Sequence, residues 1–249
     1  MPLPKNFAIL TRPRREVDSV EARSYGLNSL LNFPGAWKAI SNRWLEDPDR
    51  LQDGEIRLLS DEGEYRHYRV WFRYLRRGIA SKKYMLDEAE FELWQHKGGF
   101  SLVVNAPKAL AELAATLLST AIYKDPFAVR IRRLEKDDFL ALVRYARSVG
   151  GKVIVLHLRH VRTEDMGELS VLKMSGTNMG RGNIDKLLGA ARRVTRVGFH
   201  IPNIGGTEFK FWVGHWGGGT IYLPPALEPH HVWALIRFFE NALGDISCY

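Results

Sequence analysis

The tripeptide Glu208-Phe209-Lys210 has the acid-x-lysine spacing with which metal-dependent nucleases hold Mg²⁺ and activate water. Such a site needs a second carboxylate on a neighbouring strand. Asp185 is the nearest candidate in the sequence, and it falls in a stretch with helical periodicity. The tripeptide is also common by chance. A nuclease or another nucleic-acid-processing enzyme is therefore an alternative hypothesis, and no catalytic residue is assigned.

The histidines and the cysteine offer little further chemistry. His157 and His160 lie three residues apart in a stretch with strand character, so their side chains are expected on opposite faces. His230 and His231 are neighbours at the start of a predicted helix and do not converge. Cys248 is the single cysteine, which excludes a disulfide within the chain and a zinc site built from cysteines. The sequence predicts no metal site and no cofactor, and it favours a binding protein over an enzyme.

The charge balance favours a polyanionic partner. The 249 residues include 36 Lys or Arg against 28 Asp or Glu, a formal net charge of +8. Such a surplus attracts nucleic acid through long-range electrostatics, although it carries no information about the fold. No stretch approaches the roughly 18 apolar residues of a membrane span, and the apolar run near the N-terminus is too short for a signal peptide. We therefore expect a cytoplasmic protein without membrane contact, and the scarcity of glutamine suggests a thermophile.

The elements that must position these residues follow from the hydrophobic periodicity. Residues 1–24 are rich in Pro and Arg and predict an extended arm, and residues 25–45 show two helical stripes interrupted by Pro34. Strand patterns follow, and strands and helices then alternate. This order predicts an α+β protein in which a largely antiparallel sheet has helices packed on one face, preceded by a short helical N-terminal segment. The predicted parts are an N-terminal arm with helices (1–60) and an α+β domain (61–249), which divides into two units of similar element order (about 65–150 and 152–243).

Four predicted strands separate their side chains into an apolar face and a polar face, because successive strand residues point to opposite sides. In 65–75 the apolar set includes Tyr68, Val70 and Phe72, and the strands 127–133, 152–161 and 208–213 show the same division. On the polar side, Trp would stack with bases while Arg and Lys neutralise phosphates. For any one strand, a solvated sheet face is the alternative interpretation. The residues predicted to bind nucleic acid on this face are Arg69, Trp71, Arg73, Arg130, Arg132, Lys210 and Trp212.

A glycine-rich loop and several basic clusters extend the predicted contact surface. The loop 175–183 precedes a predicted helix over 184–195, with Asn183 as its N-cap, and its backbone N–H groups suit a phosphate. Its spacing fits neither a P-loop nor a dinucleotide site, and a capped connection without a ligand is the alternative. The further residues predicted to bind nucleic acid, in these segments and in the basic turn near residue 80, are Arg76, Arg77, Lys82, Lys83, Lys173, Arg181, Arg192 and Arg193.

The sequence thus predicts a non-enzymatic nucleic-acid-binding protein and does not distinguish DNA from RNA. A third hypothesis is a subunit of a larger assembly, in which Trp71, Trp212, Trp37 and Trp44 bury against a protein partner or a second copy of the chain. The exposure of Trp71 and Trp212 separates the two hypotheses. If both were buried within the chain, the sheet face would lose its stacking groups.

Overall fold

The computed structural model describes residues 5–11, 25–26, 51–77, 84–96, 100–106, 111–112, 115, 119, 128–163, 167–176, 179 and 181–244. Contacts divide them into an N-terminal unit, made mostly of Phe7–Ile131, and a C-terminal unit, made mostly of Arg132–Ile246. The predicted α+β class and the largely antiparallel sheet are confirmed. The division at residue 60 and the two similar units stay predictions, and the helices predicted over 25–45 lie outside the described residues, apart from Tyr25–Gly26, which is a short strand.

The N-terminal unit is a sheet in which each strand is antiparallel to its neighbours. The order is β2-β3-β4-β5-β6-β1, and β7 also pairs with β1. Its strands are β1 (Lys5–Thr11), β2 (Tyr25–Gly26), β3 (Leu51–Asp61), β4 (Tyr65–Arg77), β5 (Tyr84–His96), β6 (Phe100–Val104) and β7 (Arg130–Ile131).

The turn predicted after residue 60 joins β3 to β4. Gly63 adopts a positive φ of 76°, a conformation that favours glycine, and its N–H donates to Asp61 Oδ1 at 3.3 Å. In β4, Tyr68, Val70 and Phe72 are buried as the alternation predicts. Local turn chemistry and strand periodicity therefore suffice to place this hairpin.

Strand β1 corrects the expected N-terminal arm. Residues 5–11 pair with β6 and β7, and the run Phe7-Ala8-Ile9-Leu10 is fully buried. A continuous apolar run marks a strand covered on both faces, and it lacks the polar alternation by which half-exposed strands are recognised. The surrounding prolines and arginines favoured the prediction of an extended arm and not of a strand.

Among its described residues, the C-terminal unit contains five antiparallel strands and three helices. The strand order is β12-β11-β10-β8-β9, which places β9 at an edge. The elements are α1 (Lys136–Ser148), β8 (Lys152–Thr163), β9 (Gly167–Ser175), α2 (Arg181–Ala190), β10 (Ala191–Ile204), β11 (Thr207–Gly214), β12 (Gly218–Leu223) and α3 (Pro229–Leu243).

A cluster of phenylalanine rings joins β10 and β11 to α3. The ring centroid of Phe211 lies 5.4 Å from that of Phe199, 5.7 Å from that of Phe238 and 5.9 Å from that of Phe239. All four side chains are buried. Burying one such ring stabilises the fold by roughly 1.5–3 kcal/mol, so this cluster is the centre of the core of the unit.

The ends of α1 follow the sequence signals. Acidic residues cap its first turn, where the Glu135 N–H donates to Asp138 Oδ2 at 2.8 Å. The helix is followed by Gly150, with φ of +80°, and by Gly151, where a Cβ would lie 2.7 Å from the Ala146 carbonyl oxygen. Among the helices that the structure describes, none combines the length and the apolar character needed to cross a membrane.

The predicted helix 184–195 is wrong at both ends. It begins at Arg181, so Asn183 lies inside it and is not the N-cap, and it ends at Ala190. Strand β10 begins directly at Ala191, because the β-branched residues of the Val194-Thr195 segment favour extended backbone. The predicted strand 127–133 is likewise shorter, with Arg130–Ile131 as its strand residues among those described.

Candidate nucleic-acid interface

The polar face of the N-terminal unit carries balanced charge. Arg69 and Arg73 are exposed on β4, as predicted, and the glutamates of β5 lie beside them. Arg73 Nε donates to Glu88 Oε1 at 2.8 Å, and Arg69 Nε lies 3.5 Å from Glu90 Oε1. Strands β3 to β5 contain six Arg and seven Asp or Glu. The arginines of this face are therefore already paired with carboxylates.

Glu92 adds to the negative charge of this face. A hydrogen bond from His67 lowers the pKa of Glu92, against the raising effect of burial, and the nearby charges of His67 and Arg69 lower it further. Trp71 is half-buried, and the guanidinium of Arg73 lies 5.1 Å from its ring centroid. Trp94 of β5 lies on the same face but is buried, stacked on His67 and donating to Glu92. An ionised carboxylate between these two tryptophans disfavours a nucleic-acid backbone there.

The strands of the C-terminal unit have the opposite balance. Strands β8 to β12 contain eight Lys or Arg and two Glu. His200 Nε2 lies 2.7 Å from Glu208 Oε1, and His160 Nδ1 lies 3.8 Å from Glu168 Oε1, so both carboxylates have neighbours of their own. We use the name basic face for eight of the side chains that alternate with the buried ones on these strands, on the side that also carries Lys152, His200 and Glu208. Its members are His157, Arg159, Lys173, Arg193, Arg196, Lys210, Trp212 and Tyr222.

The strand register places like charges opposite each other on the basic face. Arg159 of β8 is the direct partner of Arg193 of β10, and both are exposed. In the next row, His157 lies between Lys173 of β9 and Arg196 of β10. Directly opposed like charges destabilise a sheet. Within the described part of the chain, no carboxylate forms an ion pair with any of these four cations, so an external anion would relieve their repulsion.

The positive charge around His157 contributes to a lowered pKa of its side chain. Burial lowers the pKa of the His157 imidazole, and the charges of Arg196 and Lys173 lower it further. The side chain is therefore neutral at neutral pH. A polyanion lying across this row would remove part of the repulsion and raise the pKa again.

Two aromatic side chains lie beside the cations. Trp212 Nε1 donates to the Tyr222 hydroxyl at 3.2 Å, and the Arg196 guanidinium lies over the indole, 3.9 Å from its centroid. Trp212 is half-buried, whereas Tyr222 is 47% exposed. Gly198, opposite Trp212 in the register, has no room for a Cβ, which would lie 2.8 Å from Val155 Cβ. The basic face thus offers one exposed phenol ring and one guanidinium supported by an indole.

The remaining predicted residues fall outside this cluster. Arg132 Nη2 donates to Asp138 Oδ1 at 2.8 Å, so it serves the start of α1. Arg130 is exposed on β7 in the N-terminal unit, and Arg192 is exposed on β10, adjacent to Arg193 in the chain. Arg76 and Arg77 lie in β4 and Arg181 begins α2, with side chains outside the description, while Lys82, Lys83 and three residues of the loop 175–183, Thr177, Asn178 and Gly180, are outside it altogether.

The carboxylates proposed for a nuclease do not meet. Glu208 lies against His200, and Asp185 accepts two hydrogen bonds from Arg147 Nη1, at 2.9 and 2.8 Å. Among the described residues, no group of three or more His, Cys, Asp or Glu side chains is placed to hold a metal ion. Glu208 and Asp185 are therefore engaged by different basic side chains in the described part of the chain.

Sequence reasoning assigned several members of the basic face to the wrong element or left them out. The sequence groups Arg196 with the basic residues of the predicted helix 184–195, and Tyr222, in a predicted strand, is not among the predicted contact residues. The signal available in the sequence was the contrast between strands, since Glu88, Glu90 and Glu92 alternate in β5 whereas β10 contains three arginines and no acid.

No protein family matches the sequence, and no curated protein is significantly similar to it. The candidate interface is therefore defined by its own chemistry.

The position of His157 predicts that the stability of the fold, and its affinity for any polyanion that lies on the basic face, depend on pH. Its unfolded pKa is about 6.5 and its folded pKa is lower, so protonation opposes folding. This contribution to stability is complete above about pH 6.5 and is lost as pH falls towards the folded pKa. Binding has the opposite sign, because phosphates favour the imidazolium. We expect oligonucleotide affinity to increase more between pH 7.5 and 5.5 in the wild type than in His157→Gln, as measured by fluorescence anisotropy.

His231 provides the matched control for this experiment. Burial, together with the charge of His230, also lowers the pKa of His231, which lies in the first turn of α3 and away from the basic face. His231→Gln should reduce the acid sensitivity of unfolding and leave the pH dependence of binding unchanged. Equal pH dependence of binding in the wild type and in His157→Gln would contradict the assignment.

Proposed function

We propose that this protein binds nucleic acid without catalysing a reaction on it, through the basic face of the C-terminal unit. The observation that carries the proposal is the direct opposition of Arg159 and Arg193, next to the row that joins Lys173, His157 and Arg196. The repulsion between these cations destabilises the sheet in the absence of a ligand. A phosphate backbone would remove this repulsion, and the free energy gained would favour binding.

The proposal also places the helices. Rings of α3 contact Phe199 and Phe211, whose side chains point away from the basic face, and α1 and α2 approach β8 and β10. We infer that all three helices cover the apolar side of this sheet, which leaves the basic face accessible to a ligand. A cytoplasmic location fits a nucleic-acid ligand and the single cysteine, Cys248.

The salt dependence of oligonucleotide binding tests the proposal. If the five Lys and Arg side chains of the basic face each neutralise one phosphate, the logarithm of the affinity for a single strand should fall with the logarithm of salt concentration with a slope of about −3.5. This slope corresponds to a loss of about 100-fold between 50 and 200 mM NaCl. Fluorescence anisotropy with a labelled twenty-residue oligonucleotide measures it.

Polyglutamate of similar length is the control for charge alone. The proposal expects weaker binding of polyglutamate than of the oligonucleotide at every salt concentration, because carboxylates on a flexible chain have no bases to contact Tyr222 or Arg196. Equal affinity for the two polymers, or no oligonucleotide binding at 50 mM NaCl, would overturn the proposal.

The other two hypotheses have less support. Nothing in the described residues favours the nuclease, because Glu208 and Asp185 are engaged by His200 and Arg147. For the assembly subunit, Trp71 and Trp212 are both half-buried, and each has an arginine guanidinium near its ring. The tryptophan–arginine arrangement suits a polar, anionic ligand better than an apolar protein interface.

A further inference from the structure

We infer that the nucleic acid bound by the basic face is single-stranded. This inference rests on the proposed function and narrows its ligand. Three features of the basic face carry it: the width of the sheet, the position of the aromatic side chains and the pattern of the cations.

The sheet is too wide to enter a groove of a duplex. The cations extend from Lys173 on β9 to Lys210 on β11, and Tyr222 lies on β12, so the basic face crosses five adjacent strands. Strands lie about 4.8 Å apart, which gives about 19 Å between β9 and β12. The major groove of B-DNA is about 12 Å wide and the minor groove about 6 Å. A duplex would therefore touch this surface only with its phosphates.

The aromatic side chains have a use only with unpaired bases. Tyr222 is 47% exposed and its hydroxyl accepts from the Trp212 indole, which fixes the phenol at one side of the cation rows. Exposed aromatic rings and arginine guanidinium planes are the groups on which splayed bases stack. Bases inside a duplex present their edges, and neither ring could reach their faces.

The cations continue from the aromatic side chains across the sheet. Arg196 lies over Trp212 and, in the register, next to His157 and Lys173, with the pair Arg159 and Arg193 in the adjacent row. A flexible backbone can follow such a path from ring to cation, whereas the phosphates of a duplex keep a fixed spacing along two strands. The geometry therefore assigns the base contact to the exposed ring of Tyr222, and the phosphate contacts to Arg196 and the cations beyond it.

Competition between strand forms tests the inference. Labelled oligothymidylate and oligouridylate of fifteen residues, and a fifteen-base-pair duplex, are titrated against the full-length protein at one salt concentration. We expect at least tenfold tighter binding of the single strands. Tyr222→Ala should weaken single-strand binding by about five- to a hundredfold, the range for loss of one stacked base. Tyr222→Phe, which keeps the ring, should retain most of the affinity, and duplex binding should change little in either variant.

The outcomes separate this inference from the proposed function. Equal or tighter binding of the duplex overturns the single-strand inference and leaves nucleic-acid binding intact. A preference for single strands that Tyr222→Ala leaves unchanged overturns the assignment of stacking to Tyr222. No binding of any of the three ligands overturns the proposed function itself. Circular dichroism of each variant verifies that a loss of affinity is not a loss of fold.

Discussion

Replacing both Arg159 and Arg193 with alanine is expected to reduce affinity for a single-stranded oligonucleotide by about 10- to 100-fold at 50 mM NaCl. The two guanidiniums are direct cross-strand partners and have no carboxylate partner in the described part of the chain. If each contacts one phosphate, the slope of affinity against salt on logarithmic axes should decrease in magnitude by about 1.4. Fluorescence anisotropy across a salt series measures both quantities.

The N-terminal unit supplies a control that is matched in charge. Arg69→Ala with Arg73→Ala also removes two positive charges, but from side chains that lie beside Glu90 and Glu88. Affinity and slope should then remain close to the wild type. If the two double variants lose affinity equally, net charge alone drives binding and the basic face is not the site.

The double variant Arg159→Ala with Arg193→Ala should be at least as stable as the wild type. Opposed like charges destabilise a sheet, so the loss of the Arg159 and Arg193 side chains should change the free energy of unfolding by no more than about 0.5 kcal/mol, or increase it. This expectation separates the binding defect from misfolding. A destabilised double variant would show that the two arginines are held by contacts that favour the folded state.

Phe211→Ala is expected to reduce the free energy of unfolding by about 3–5 kcal/mol, the usual range for removing a buried phenylalanine ring. The side chain is 1% exposed and contacts the rings of Phe199, Phe238 and Phe239. Its loss leaves a cavity between β10, β11 and α3. Urea unfolding followed by circular dichroism gives the value, and whole domains are stable by only about 5–15 kcal/mol.

The neighbouring residue provides the comparison for this variant. Lys210 precedes Phe211 on β11 and points to the opposite side of the sheet, where it is exposed. Lys210→Ala should change the free energy of unfolding by less than about 0.5 kcal/mol and weaken oligonucleotide binding. Similar stability of the two variants would mean that the phenylalanine cluster is not the core of the unit.

Much of the fold could be predicted from the sequence because period-2 alternation is a local property. The buried set Phe209, Phe211 and Val213 and the exposed Lys210 of β11 agree with the prediction. In β8 the alternation fails at one point, since strict alternation with the buried Leu156 and Leu158 would bury Ile154, whereas Ile154 is half-buried and Val153 is buried. The register between β8 and β10 shifts there, and a bulge depends on the partner strand, which no local pattern specifies.

The residue types of the candidate site could be predicted from the sequence, but which of these residues share one surface could be predicted only in part. The sequence identified arginines and tryptophans on strands, and it combined Arg69 and Arg73 with Lys210 and Trp212 in one surface. Whether an arginine is free to bind phosphate depends on what lies opposite, and Glu88 and Glu90 neutralise the β4 pair through the β4–β5 register. Among the described residues Arg193 has no carboxylate partner, and its neighbour across the sheet is Arg159.

Glu88, Glu90 and Glu92 of β5 are present only in the N-terminal unit, so the stability of the two units should respond in opposite ways to added salt. Mobile counterions weaken the attraction between Arg73 and Glu88, and they weaken the repulsion between Arg159 and Arg193 in the same way. A rise in ionic strength should therefore weaken a stabilising interaction in the strands of the N-terminal unit and weaken a destabilising one in the strands of the C-terminal unit. The net charge of +8 for the whole chain does not predict this difference. The arrangement of its charges, more than their sum, decides how each half of this protein behaves as its surroundings change.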